Sequence, residues 1–234
     1  LLIGVFAKTG VVPLHSWIPD SAEGAPASVM ALLPAALDKL VGIYLLVRLC
    51  FNVFVFEINS PLSILLMAFG SATIMIGVMG AMVQHDLKKL LSFHTVSQVG
   101  YMLLGIGTGI PVAVAGGLFH MFNNTIYKSL LFLAGGAVEF RTGKTELSEL
   151  GGLGKFMPLT FTAAVIAALS ISGVPPFNGF FSKWMIYQGI IDLKNVSPLW
   201  IVWLLAAMFG SALTLASFMK LIHATFLGQW SKIT

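Results

Sequence analysis

The sequence predicts an all-α, polytopic transmembrane helix bundle with two discontinuous helices, and three observations predict it. Only 9% of the 234 residues are charged while 57% are hydrophobic, against roughly 25% charged in soluble domains. Apolar runs close to the roughly 20 residues that cross a bilayer recur along the whole chain, and in lipid a helix satisfies its own backbone. Two of these runs are interrupted close to a lysine, by GVVP at Gly10–Pro13 and by GVPP at Gly173–Pro176. Interrupted helices at corresponding positions of two halves mark inverted-repeat membrane folds. About seven segments are expected, forming a single transmembrane domain over residues 1–234.

The first segment, Leu1 to about Val12, is ended by Gly10 and Pro13. Leu1–Ala7 is too short to cross a bilayer before Lys8 and has no charged leader, so it is expected to be the tail of a helix that begins upstream. Leu14–Pro26, with His15, Asp20 and Glu23, reads as a polar connector. Ala27 to about Cys50 is the second span, in which Pro34 is expected to kink the helix just before Asp38 and Lys39. After a loop at Phe51–Ser60, Pro61–Val83 carries no charge, and its small residues, Gly70, Gly77 and Gly80 among them, allow close helix approach. The loop Gln84–Lys89 precedes a span from Leu90 to about Ile110, and the next span runs from Pro111 to about Val138. Phe140–Lys155 is a connector, Phe156–Gln188 a span broken at Ser172–Gly179, and Pro198 to about Leu227 the last span.

Cations fall on one side of this arrangement. Connectors after Val83, Val138 and Leu227 hold Lys88, Lys89, Arg141, Lys144, Lys155 and Lys232, whereas the opposite side offers Arg48 and Lys194. The positive-inside bias places the first group in the cytoplasm or its organellar equivalent. A net charge of +4 spread over loops argues against nucleic-acid binding. Cys50 is the only cysteine, which excludes an internal disulfide, an iron–sulfur cluster held by this chain alone and thiolate zinc chemistry. The GGLGK string at Gly151–Lys155 lacks the spacing of a phosphate loop, and no nucleophile elbow is present.

The ionisable residues inside apolar sequence carry the functional argument. A lysine at a membrane helix centre costs roughly 2.5–3.5 kcal/mol, so such residues face protein or water and mark ion pathways. Lys8, Lys39, Lys128 and Lys183 are expected to be proton-carrying stations, because a buried amine poised between desolvation and a neighbouring carboxylate loads and releases protons near neutral pH. Asp38 is expected to modulate Lys39, and His120 to act as an intermediate carrier. At 100° per residue, His120, Asn124 and Lys128 share one stripe, with Tyr127 beside it. Asn124, Tyr127, Gln98, Ser92, Thr95 and Ser97 are expected to hold waters between stations. The competing reading is that the lysines snorkel to an interface and that His120 only packs. Lys220 and His223 read as interfacial, while His94 receives no assignment.

The strings KTGVVPLHSWIPDS, LVGIYLLVR, HDLKKLLSFHTVSQVGYMLLG, HMFNNTIYKSLLFLAGGAV, TELSELGGL and SGVPPFNGFFSKW resemble the antiporter-like subunits of respiratory complex I (NADH dehydrogenase), membrane-bound hydrogenases and multisubunit sodium/proton antiporters. That resemblance implies a fourteen-helix subunit with two inverted five-helix repeats, of which this chain holds the end of the first and all of the second. Lys8 matches the lysine of the first broken helix, Lys39 that of the following helix, Lys128 the central lysine of the histidine-bearing helix, and Lys183 the charged residue of the second broken helix. His120 matches a family histidine, whereas Asn124 stands where many relatives have another. Asp38 is not a general family feature, and the glutamate that partners the first lysine in the family lies upstream of Leu1. The implied function is a proton-translocating subunit of a redox-driven complex; the alternative is a subunit of a stand-alone cation (sodium)/proton antiporter. The chain is expected to hold no cofactor, with iron–sulfur clusters, flavin, a nickel–iron site or quinone chemistry confined to partner subunits. Expected partners are other membrane subunits, antiporter-like homologues included, within a prokaryotic cytoplasmic membrane or an organellar inner membrane.

Overall fold

The structure, a computed structural model, describes residues 1–228. Among the described residues ten α-helices follow one another: α1 (Leu2–Thr9), α2 (Trp17–Gly24), α3 (Ala27–Leu32), α4 (Asp38–Arg48), α5 (Pro61–Val83), α6 (Leu87–Gly107), α7 (Pro111–Thr142), α8 (Pro158–Ser172), α9 (Asn178–Asp192) and α10 (Trp200–Ile222). Among the described residues there is no strand, only an isolated bridge between Asp86 and Glu146. Ala27–Val53, Pro61–Val83 and Trp200–Leu227 are long and apolar enough to cross a membrane. Helices α6 and α7 are 21 and 32 residues long but less apolar, because their polar side chains turn into the protein.

The two discontinuities fall where the Gly/Pro clusters predict them, with α1 and α2 separated at residues 10–16 and α8 and α9 at residues 173–177. One local expectation is corrected and one is given its form. The stretch Leu14–Pro26 is not merely a connector: Trp17–Gly24 is helical and buries Ile18 and Ala22, four residues apart on one face. Pro19 is tolerated because it sits in the first turn, where backbone N–H groups have no helical acceptor. At Pro34, where a kink is expected, the span stays helical. A π turn at Leu33–Leu37 absorbs the missing donor and joins α3 to α4.

The ends of the helices follow from capping. Asp86 accepts from the Lys89 backbone N–H at 2.8 Å and starts α6 earlier than hydropathy suggested, and α7 continues to Thr142 until Gly143 stops it with a φ of 71°. The Asp86–Glu146 bridge and a Lys89–Glu23 ion pair at 2.5 Å gather the connectors after α2, α5 and α7 at one end of the bundle. Asn59 Nδ2 donates to the Val196 carbonyl at 3.2 Å and joins the connectors after α4 and α9 at the other. This is the division the cation count predicts, except that Lys232 lies outside the described residues. Lys220 Nζ reaches the Gln84 carbonyl at 2.9 Å, at the end of α5, and His223 is exposed.

Helix α6 is the centre of the bundle, with nearly every residue buried. It packs on α5 through glycine: a Cβ on Gly100 would lie 2.6 Å from the Gly70 carbonyl oxygen, so a side chain there would push the two backbones apart. Helices α2, α7, α9 and α10 surround the rest of α6, and the last three deliver polar groups to it.

Candidate functional site

Each broken helix ends on a buried amine. Helix α1 stops at Gly10, whose φ of 77° is a conformation that glycine adopts readily. The Gly10 and Val11 N–H groups both turn back to the Phe6 carbonyl, and the Thr9 carbonyl is left to accept from Lys39 Nζ at 2.6 Å. Helix α8 stops in the same way at Gly173, with a φ of 81°. There Lys183 Nζ donates to the Ile171 carbonyl at 2.9 Å and the Ser172 carbonyl at 3.5 Å. A helix C-terminus carries partial negative charge and its last carbonyls lack helical donors, so an ammonium group is favoured at both places. Lys39 is 0% and Lys183 2% exposed. The Trp17 ring lies 5.8 Å from one amine and the Tyr101 ring 4.5 Å from the other, within reach of cation–π attraction.

A third amine lies between them in the chain. Lys128 Nζ donates to the Leu91 carbonyl at 2.6 Å and sits 5.8 Å and 5.7 Å from the Phe132 and Phe218 ring centres. On the same stripe of α7, His120 joins three helices: its Nδ1 meets Ser182 Oγ of α9 at 2.9 Å and its Nε2 meets Gln98 Oε1 of α6 at 3.1 Å. The Tyr127 hydroxyl stands 3.4 Å from that Nε2. Asn124 Nδ2 donates to the Ala35 carbonyl at 3.4 Å, while Ser129 Oγ donates to the Ala31 carbonyl at 2.9 Å; both contacts dock α7 on the region of the π turn at Pro34. His120, Asn124 and Lys128 are all 0% exposed. Lys39, Lys128 and Lys183 are thus enclosed by protein, and snorkelling does not describe them.

Lys8 stands apart from this group. Its side chain is 50% exposed and its amine pairs with Asp38 Oδ1 at 2.7 Å. Asp38 therefore directs its carboxylate to Lys8, although Lys39 is its neighbour in the chain. Several partners were not singled out by sequence: Ser182, Ser217 and the carbonyls of Thr9, Leu91 and Ile171. His94 is also fully buried, with Nε2 2.7 Å from Ser217 Oγ. The four-residue spacing of His94 and Gln98 on α6 was the available signal for it. A cavity of about 250 Å³ adjoins Lys183, lined also by Gly173, Trp184, Tyr187 and Ser211. No group of His, Cys, Asp and Glu among the described residues is placed to hold a metal ion.

A membrane bundle with two broken helices, each closed by an enclosed lysine around a central polar helix, has the architecture of an antiporter-like membrane subunit. Residues 1–220 match the family described as NADH:quinone oxidoreductase/Mrp antiporter, TM, and the chain belongs to that family. It is 35% identical to formate hydrogenlyase subunit 3 of Escherichia coli, over 97% of this chain and 40% of that protein. It is 37% identical to a Na(+)/H(+) antiporter subunit of Alkalihalophilus pseudofirmus, over 98% of this chain and 45% of that one. Among solved structures, a chain of the Mrp complex from a Dietzia species superposes with a TM-score of 0.89 at 33% identity, covering 97% of this chain and 41% of that chain. The chain thus spans less than half the length of each of these relatives. The protein is an integral membrane protein.

Proposed function

We propose that this chain moves protons across the membrane along Lys39, Lys128, His120 and Lys183, as the conducting part of a multisubunit membrane complex. The observation that carries this reading is the enclosure of three amines, each bonded to a backbone carbonyl, with His120 bonded to α6 and α9 next to Lys183. An amine inside the protein is worth its desolvation where its charge changes during the working cycle. Asn124 has no titrating group, so it serves the row by orienting water. Lys8 and Asp38 form a side pair through which a further subunit or segment communicates with Lys39.

The relatives include a formate hydrogenlyase subunit at 35% identity and a sodium/proton antiporter subunit at 37%, and in our reading the driving force follows the complex that this chain joins. The proton row serves either a redox-driven complex or a stand-alone antiporter. In the first case flavin, iron–sulfur or nickel–iron centres belong to partner subunits, and the home membrane in our reading is a prokaryotic cytoplasmic one. The test is the intact complex in sealed vesicles with a pH dye inside. Lys128→Ala is expected to assemble and to abolish proton movement; assembled complex that pumps at full stoichiometry overturns the proposal.

A further inference from the structure

His94 lies at the crossing of α6 and α10 with a polar atom left over. Its Nε2 is 2.7 Å from Ser217 Oγ, and its ring lies 4.6 Å from Phe218. Its Nδ1 is enclosed and has no hydrogen-bond partner among the described residues. An unpaired polar atom in such a place costs about 1–3 kcal/mol, and one with room for a bridging water is restored by it. The nearest charged group on the same ring is Lys128, whose amine is 5.7 Å from the Phe218 centroid. That amine is bonded to the carbonyl of Leu91, one turn before His94 on α6. Lys128 of α7 and Lys183 of α9 are the charged groups that act on His94, and α10 faces it with Ser217 and Phe218. On the α7 stripe the position one turn before Lys128 is Asn124, whose Oδ1 is likewise enclosed and unpartnered.

We propose that His94 is a second proton-carrying imidazole of the row, exchanging protons with Lys128 through a water at Nδ1, while Ser217 holds the other ring nitrogen. With Nε2–H donating to Ser217 Oγ, Nδ1 presents a lone pair. The Lys128 ammonium gives a proton to the water, and the water gives one of its own to Nδ1. The products are a neutral amine and an imidazolium that keeps its bond to Ser217; no electrons change hands. The imidazole that α7 lacks at position 124 is supplied from α6, three residues after the carbonyl that holds the same amine. This inference rests on the lysine row being a proton path.

The experiment compares His94→Gln, Ser217→Ala and Lys128→Ala in the full complex in sealed vesicles. Glutamine retains a polar group toward Ser217 without titrating, and His94→Gln is expected to lower the initial proton flux by about tenfold or more. Flux that survives His94→Gln but not Lys128→Ala overturns the role of His94 and leaves the lysine row standing. Flux that survives both overturns the row, and His94 with it. Nitrogen-15 histidine spectra of the wild-type complex in lipid supply a readout independent of transport and of the stability of His94→Gln. A single Nε2-protonated tautomer for His94, lost in Ser217→Ala and shifted in Lys128→Ala, is expected. A spectrum indifferent to both substitutions refutes the proposal.

Discussion

Replacing Lys183 by methionine separates what the amine does for the fold from what it does for transport. Methionine is unbranched and of similar length, so it fills the same channel beneath Gly173 without a new clash. The substitution removes the bond to the Ile171 carbonyl at 2.9 Å and the contact with the Tyr101 ring at 4.5 Å. Those are worth about 1.5–3 kcal/mol for a charge-assisted hydrogen bond and about 2 kcal/mol for a desolvated cation–π contact. Against them stands the penalty of holding an ion away from water, which is several kcal/mol in real proteins. The two sides are of equal size, so Lys183→Met is expected to change stability by no more than about 2 kcal/mol in either direction. Proton flux is expected to fall by about a hundredfold or more, the scale of a lost proton-transfer group. Apparent melting of the purified complex at one fixed heating rate and flux in sealed vesicles are the two assays. Intact flux in Lys183→Met refutes the station; loss of all assembled complex shows that capping α8 outweighs desolvation and refutes the energetic argument.

Asp38→Asn breaks the 2.7 Å pair with Lys8 and is expected to slow flux by about threefold to tenfold without stopping it, because the pair acts on Lys39 through its charge and is not itself a carrier of the row; the same vesicle assay measures it. Gly179→Ala places a Cβ 1.8 Å from the Ser170 carbonyl oxygen, a backbone atom that cannot step aside. It should cost about 1–3 kcal/mol or more, seen as a lower yield of assembled complex in membranes. Asp86→Ala removes the α6 cap and the bond that Thr145 donates to the same carboxylate; a loss of about 0.5–2 kcal/mol is expected, read as a lower apparent melting temperature. Lys155→Cys and Asn195→Cys should be labelled from opposite faces of the membrane by an impermeant thiol reagent, and labelling of both from one face contradicts the sidedness described here.

The legible part of this protein was the part written in side chains of one kind. Runs of apolar residues located the three helices long and apolar enough to cross a membrane, and Gly-Val-Val-Pro and Gly-Val-Pro-Pro located both breaks, because an unpartnered backbone in lipid tolerates interruption only where protein or water encloses it. Lys39, Lys128, Lys183 and His120 were legible for the same reason, since charge inside apolar sequence has to be turned inward. The helix at Trp17–Gly24 was hidden by its own polar composition: two buried residues, Ile18 and Ala22, are too few to register as an apolar face. The π turn at Pro34 was hidden because a proline announces a missing donor but not how the neighbouring turn accommodates it.

The partners of the lysines were out of reach for a deeper reason. Thr9, Leu91 and Ile171 contribute their carbonyl oxygens, and every residue in the chain carries one, so nothing in residue identity distinguishes these three. What selects two of them is position, since a helix that stops at a left-handed glycine leaves its final carbonyls without donors. Gly10 and Gly173 were therefore the nearest thing in the sequence to a label on the lysine sites. Each fixes where a helix ends, and each helix end fixes where an ammonium group is welcome inside the bundle. The same logic separates Lys8 from Lys39: Lys8 is part of the helix that ends, and a side chain leaving its last turn next to Asp38 pairs with the carboxylate at the rim. Lys39 comes from the next span and approaches the Thr9 carbonyl end-on. Adjacent charges in one sequence window thus acquire opposite fates from the direction in which each meets the terminus of α1.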